Sequence, residues 1–201
     1  MLREIRPAIV FVVALTVITG IVYPFAITGI ARVAFPDQAQ GSLLERDGKV
    51  IGSALIGQEF TSDRYFHTRP SATVAPDPND ATKTVPVPYN AANSGGSNLG
   101  PTNKALIERI AADLAKLKQE NSSAEVATDL VTTSGSGLDP DISPAAALFQ
   151  VARVARARNL SEDRVRQLVE EHIKGRLFGL LGESRVNVLA LNLALDSASG
   201  R

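Results

Sequence analysis

From Ala8 to Ala31 the chain runs 24 residues without a charge, bounded by Arg6 and Arg32. As a helix this run would extend about 36 Å at 1.5 Å per residue, enough to cross a ~30 Å hydrocarbon core with some tilt. A secretory signal would carry a shorter apolar run, about 7–15 residues, and then a small-x-small cleavage site. Here the run is longer, contains Tyr23-Pro24, and meets Arg32-Val33 where small residues would be needed. The pattern predicts a membrane anchor over 8–31. Arg3 and Arg6 precede it, against Arg32 alone just after it. That bias places residues 1–7 in the cytoplasm and residues 32–201 outside as one soluble domain. Within the span Thr16, Gly20, Pro24 and Thr28 recur every four residues and lie close to one helix face. Small and hydroxylated residues let a neighbouring helix come close in lipid, so this face is expected to contact a membrane partner. Pro24 has no N–H for the Gly20 carbonyl, which then needs a hydroxyl, a kink or a partner.

Beyond the span the periodicity changes several times. Residues 42–57 read as a β-hairpin, because Asp47-Gly48 between two apolar-containing runs suits a turn with positive φ at both positions. Residues 69–103 read as irregular, with six prolines among Asn, Ser and Gly, and 74–88 is read as a variable loop. Leu106, Ile107, Ile110, Ala111, Leu114 and Leu117 form a helical stripe that Asn121-Ser122-Ser123 ends. Asp129-Leu130-Val131-Thr132 suggests a short strand. Ser143-Pro144 starts a helix expected to reach about Arg158, and Ser161 caps another that places His172 on the side of Leu168 and Val169. A short strand near 186–189 and a final helix complete an α+β domain without internal repeats.

Charge and composition remove several function classes. Setting aside Arg3, Glu4 and Arg6 leaves 19 basic and 20 acidic side chains, so nothing would draw a nucleic acid through phosphate neutralisation. The absence of cysteine removes disulfides, thiolate nucleophiles and cysteine zinc sites together. His67 and His172 are far apart, and no histidine pair stands at helical spacing for a metal; no metal site is expected. His172 reads as a packed, hydrogen-bonded histidine. His67 has Ser62, Asp63 and Ser71 nearby, the residue types of a serine hydrolase, but no serine sits in a Gly-x-Ser-x-Gly elbow. A membrane-tethered extracytoplasmic hydrolase is therefore the alternative from another class, and a general extracytoplasmic binding module a third. Ser94-Gly95-Gly96-Ser97-Asn98 and Ser134-Gly135-Ser136-Gly137 each precede a helix, yet neither carries the lysine of a phosphate-binding loop. Loop and turn geometry is the better account of both, and Asp139-Pro140-Asp141 reads as a turn.

Read together, these segments resemble one family. The blocks are Gly52-Ser53-Ala54-Leu55-Ile56-Gly57-Gln58 with Tyr65-Phe66 and Arg69-Pro70-Ser71, then Tyr89-Asn90 with Ser94 to Asn103. Asp129 to Thr132, Ser134 to Pro140 and Ile142-Ser143-Pro144 follow. Gln150, Arg153 to Leu160, Val186 to Leu189 and Leu191-Asn192 complete the set. Their order behind an N-terminal span is similar to the C subunits of the bacterial Kdp potassium-transporting P-type ATPases. The stretch Val74 to Pro88 looks longer than the family pattern, and nothing functional is mapped onto it.

The resemblance implies an accessory subunit of a high-affinity potassium uptake pump in the cytoplasmic membrane, without a reaction of its own. It implies as partners a channel-like potassium-conducting subunit, an ATP-hydrolysing P-type subunit and a very small extra subunit. Docking is expected through the helix and a loop face around Ser94, Gly95, Gly96, Ser97 and Asn98. The family is described as a catalytic chaperone that raises the pump's ATP affinity, and Gln150 occupies the place of a glutamine linked to nucleotide. No cofactor is expected to be tightly bound, and ATP enters only through the complex. A domain outside the cell does not meet cytoplasmic ATP, so its effect on ATP use would pass through the membrane parts.

Overall fold

The computed structural model describes residues 2–198, and packing divides the chain between Ser53 and Ala54. In the first unit α1 (Leu2–Val17), a π-helical turn (Ile18–Val22) and α2 (Tyr23–Ala34) join end to end. Together they give an apolar helix of 32 residues over Arg3–Ala34, none of whose most apolar stretch is buried within the chain. Phe11, Phe25 and Val33 are among its exposed side chains. A short helix α3 (Pro36–Ala39) follows, then the expected hairpin of β1 (Leu43–Arg46) and β2 (Lys49–Ser53). Its turn residues Asp47 and Gly48 have φ of 52° and 74°, the mirror-image geometry that matches strand twist.

The second unit carries the rest. β3 (Val74–Asp77) and β4 (Asp80–Pro86) form a separate antiparallel hairpin, so most of 74–88 is a strand hairpin rather than irregular loop. Prolines obscured it. In a two-stranded ribbon every strand has a free edge, and a residue that cannot donate is tolerated there. The turn is closed locally, with the Asn79 N–H donating to Asp77 Oδ1 at 2.8 Å.

α4 (Lys104–Glu120) begins at Asn103, whose Oδ1 accepts from the Ala105 N–H, and ends at Asn121 as expected. Its Leu117 packs, half-buried, on the core, whereas Ile107 is 53% exposed and lies off this half-buried stripe. The strand expected at 129–132 is instead a 3₁₀ turn over Thr128–Leu130. The Asp129 carboxylate accepts from both the N–H and the hydroxyl of Ser143, at 2.7 and 2.9 Å. That pair of bonds ties the segment to Ser143, fourteen residues on, and overrides the β preference of Leu-Val-Thr.

After β5 (Asp141–Ile142), Ser143 caps α5 (Pro144–Phe149). The helix expected to run on to Arg158 breaks at Gln150, where the N–H turns to Ala147 O at 3.1 Å, and α6 (Val151–Arg158) starts afresh. Ser161 caps α7 (Glu162–Glu171), and β6 (Ile173–Lys174), β7 (Arg185–Asn187) and α8 (Val188–Ala198) complete the chain. The three short strands pair in the order β5-β7-β6, all antiparallel. Helix α7 packs against α5, α6 and α8. The core is Phe66 with Val154, Val165, Val169, Val186, Leu191 and Leu195, each without solvent exposure.

Candidate functional site

Phe66 lies in that core although its segment, Asp63–His67, belongs to no sheet. Apart from a turn in which the Tyr65 N–H donates to Ser62 O at 3.0 Å, its backbone is held by side chains. The Asn192 amide accepts from the Phe66 N–H at 2.8 Å and donates to the Phe66 carbonyl at 3.0 Å. Gln150 does the same for the next residue, accepting from the His67 N–H at 2.7 Å and donating to the His67 carbonyl at 3.1 Å. Arg153 donates to the carbonyls of Asp63 and Tyr65 at 2.8 and 2.9 Å, and Arg158 to that of Arg64 at 2.6 Å. Each amide thus replaces a neighbouring strand for one residue, and each guanidinium gathers carbonyls that a sheet would have used.

The two arginines are themselves paired. Arg153 meets Glu120 at 2.7 Å and Arg158 meets Asp196 at 2.8 Å, and Arg158 lies 4.6 Å over the Tyr65 ring. Gln150 is 1% exposed; its oxygen also accepts from Arg153 at 2.6 Å, and its second N–H reaches Ala146 O at 3.2 Å. Two lone pairs and two N–H bonds are a glutamine's whole capacity, so a nucleotide would have to displace one of these four.

The residues after His67 form a second centre around Arg69, which pairs with Asp139 at 2.9 Å and reaches the carbonyls of Thr132 and Thr133. The Tyr89 hydroxyl donates to Arg69 O at 2.7 Å, and burial pushes this phenol up to about 12, so it stays a donor. A Cβ at Gly57 would fall on the Tyr89 ring and 2.6 Å from Asp139 O, which leaves room there for glycine alone. The two glycine-rich loops pack on each other: Gly95 N–H donates to Ser136 O at 2.8 Å, and a Cβ at Gly137 would stand 2.6 Å from Gly95 O. Gly137 N–H and Leu138 N–H turn to the hydroxyls of Ser134 and Ser136, so these amides are used within the chain rather than offered to a phosphate. Of the expected docking residues, Ser94 and Asn98 are exposed, while Gly95, Gly96 and Ser97 are half-buried in this contact.

Between α4 and the 59–71 segment lies an open cleft of about 570 Å³, with Phe60, His67, Arg69, Tyr89, Lys116, Glu120 and Gln150 in its wall. His67 Nε2 is 3.1 Å from the Ser62 carbonyl oxygen, and Ser71 Oγ donates to Gly137 O at 2.7 Å. The histidine is thus bonded to the backbone and not to either serine hydroxyl. Burial, and next the Arg153 charge, hold its pKa below the ordinary value of 6.5. His172, half-buried, places Nδ1 2.8 Å from Leu168 O, as a packed histidine should. Among the described residues no three metal-ligating side chains converge.

In the first unit the π turn bears on the small-residue face. It ends at Val22, just before Tyr23-Pro24, with the Tyr23 N–H donating to Ile18 O, and the Thr19 hydroxyl takes Leu15 O at 2.7 Å. Four α-helical residues overshoot a turn by about 40°, so Thr16 to Thr28 would drift by about 120° in a plain helix. A π turn uses more residues per revolution and subtracts from that drift. The bulge therefore draws Thr16, Gly20, Pro24 and Thr28 nearer one line, and a Cβ at Gly20 would meet nothing within the chain.

Arg69, Tyr89, Arg153, Arg158 and Asn192 carry roles that their local sequence pattern does not announce. Asn192 stood out only as a polar residue inside the apolar run 186–195, a pattern that marks a buried amide with a backbone partner. Asn187 in the same run accepts from the Ala190 N–H, capping α8, while its amide donates to Ala54 O at 3.0 Å.

Comparison with known proteins finds relatives along nearly the whole chain. The family described as K+-transporting ATPase, c chain, matches residues 5–197. Three similar relatives each bear the name potassium-transporting ATPase KdpC subunit. That of Rhodopseudomonas palustris strain BisB18 is 73% identical over 198 residues, covering 98% of this chain and 100% of the relative. Those of Bradyrhizobium diazoefficiens and Methylobacterium nodulans are 71% and 65% identical over 201 residues, the full length of both chains in each case. A match of this extent, running through the apolar helix and the whole of the second unit, means that the chain belongs to the KdpC family, the c chains of K+-transporting ATPases.

Proposed function

We propose that this chain is an accessory, noncatalytic subunit of an ATP-driven potassium uptake pump in the bacterial inner membrane. It crosses the bilayer once with its N-terminus in the cytoplasm, and its soluble unit stands on the outer side. The observation that carries this is the Arg3–Ala34 helix, uncharged from Pro7 to Ala31 and with none of its most apolar stretch buried by its own chain. Such a helix is satisfied only by lipid and by other helices. Thr16, Gly20, Pro24 and Thr28 are the face for a membrane-embedded partner, either the potassium-conducting or the ATP-hydrolysing subunit. The loops around Ser94 to Asn98 add contacts outside. The soluble unit favours one transport conformation over another and so raises the pump's apparent ATP affinity at a distance, as a catalytic chaperone. Gln150 acts in this as an internal brace, holding His67, and not as a nucleotide ligand.

Two measurements test the proposal. A topology reporter fused after Arg201 should report the non-cytoplasmic side, and a cytoplasmic signal would overturn the indirect route to ATP. Gly20→Leu should leave membrane insertion intact but weaken co-purification with the other subunits by roughly tenfold, the scale on which close helix packing in lipid acts. Unchanged co-purification in mild detergent would remove the helix face from the account.

A further inference from the structure

The open cleft of about 570 Å³ between α4 and the 59–71 segment has walls of unequal strength. On one side the His67 backbone is fixed by both ends of the Gln150 amide, at 2.7 and 3.1 Å. On the other side α4 has no fully buried residue, and Leu117 is its contact with the core. The C-terminal end of α4 is tied by the Glu120–Arg153 pair at 2.7 Å and by Asn121, whose amide donates to Phe149 O at 3.3 Å. A helix on side-chain tethers moves more readily than one locked into a core.

The charges around the cleft are largely matched in place: Arg69 by Asp139, Asp113 by Arg109, and Glu120 by Arg153. Glu59 and Lys116, on opposite walls, add one of each sign. The cleft therefore offers no excess charge to a ligand. What it holds is a titratable ring with one nitrogen spare. His67 Nε2 lies 3.1 Å from the Ser62 carbonyl oxygen, which can only accept, so the neutral ring carries its proton on Nε2. Nδ1 has no partner among the described residues, and a second proton must go there. The charges that act on this ring are Arg153 from α6, Glu120 from α4 and Asp63 from its own segment. Glu120 gives Oε1 to Arg153, while its Oε2 has no partner among the described residues.

We infer that the cleft is a proton-operated clamp: a proton on His67 Nδ1 lets the imidazolium take Glu120 Oε2, which draws the C-terminal half of α4 onto the 59–71 segment. The proton comes from solvent, and no covalent bond in the chain changes. Closure and protonation are linked, because the state that supplies the carboxylate binds the proton more tightly. Burial, then the Arg153 charge, disfavour that proton, so the clamp works below the ordinary histidine value of 6.5. Only the source of the signal rests on the topology proposed above: on the outer side, the clamp follows the pH of the surroundings.

The full-length chain has no cysteine, so Thr61→Cys and Ala112→Cys can carry spin labels at exposed positions on the two walls. In detergent the distance between the labels should shorten by roughly 3 Å, the width of one water layer, from about pH 8 to about pH 5. The midpoint should coincide with that of the His67 ring signal in nuclear magnetic resonance, with His172→Asn used to tell the two histidines apart. His67→Asn and Glu120→Gln should each abolish the shortening, and melting curves at the higher pH check that both are folded. The midpoint comparison needs neither variant, so it decides the matter even where one of them fails to fold. A constant distance, a midpoint unlike that of His67, or shortening that persists in folded His67→Asn would overturn the clamp. Each of those results leaves the membrane topology and the subunit role standing, since the labels report on the chain alone.

Discussion

Two segments lie near each other in sequence and are held in opposite ways. The β3–β4 hairpin is a backbone ladder whose registered residues are largely exposed or half-buried. Asp63–His67 has no ladder, yet Phe66 in it is fully buried and, the Tyr65–Ser62 turn aside, every backbone bond described above comes from a side chain on α6, on α8 or at the α5–α6 break. A ladder is nearly indifferent to side-chain identity, because the bonding groups are common to all residues but proline. A segment held by side chains depends on the identity of each holder. The second unit therefore concentrates its sensitivity to substitution in a few polar residues, and tolerance in a hairpin that outwardly looks more regular.

The largest effect should come from Arg153→Ala. It removes bonds to Asp63, Tyr65, Gln150 and Glu120 and leaves a carboxylate and several carbonyls unmatched. Breaking one side of a buried charge pair costs about 3–5 kcal/mol, which is a large share of a domain's stability. Denaturant unfolding of the detergent-solubilised chain measures it. A loss below about 1 kcal/mol would mean that the segment is held chiefly by Phe66 packing and not by Arg153. Gly57→Ala comes next. The added methyl must push aside the Tyr89 ring or the Asp139 carbonyl, an overpacking cost of about 1–3 kcal/mol, readable as a lowered melting temperature.

The same contrast explains what the amino-acid sequence disclosed in advance. Features fixed within a few residues were legible: Asp47-Gly48 in its hairpin, Ser143-Pro144 and Ser161 at helix starts, and the uncharged run that becomes the apolar helix. Features that depend on distant partners were not. The amide of Gln150 spends two of its bonds on a residue 83 positions away, and Asn192 on one 126 positions away, and no local pattern encodes either. The 129–132 segment misled for the same reason, because its β-prone residues answer to Ser143, 14 positions on. The β3–β4 hairpin was missed on different grounds: its prolines read as irregularity, although an isolated ribbon accommodates them at its free edges.

Smaller than either substitution is an effect of pH that reports on the pinned segment directly. Burial, then the Arg153 charge, keep the folded-state pKa of His67 below its unfolded value of 6.5. The unfolded chain then binds more protons in the interval between the two, so stability is fully present above 6.5 and falls as pH drops through 6.5 towards the lower folded value. Unfolding midpoints followed from about pH 8 to pH 5 should show this decline. His67→Asn should flatten the part due to His67, and Arg153→Ala should reduce it, because one of the two depressing influences is gone. An identical profile in the wild type and His67→Asn would show that His67 takes its proton without cost in the folded chain.

The smallest effect belongs to the hairpin, and it sharpens the comparison by being nearly absent. Thr84 stands opposite Pro76 with an exposed side chain. Thr84→Ala leaves the backbone ladder in place and removes a hydroxyl and a methyl that face solvent. Surface changes of this kind fall within about half a kcal/mol, and a modest loss of β preference is the only other contribution. A destabilisation of about 2 kcal/mol or more would mean that this ribbon is covered by something other than water, and the division between a side-chain-held segment and a tolerant ladder would have to be drawn elsewhere. In the intact pump that same substitution discriminates further: full stability of the free chain together with weakened retention in the complex would identify β4 as a docking strand rather than a solvated one.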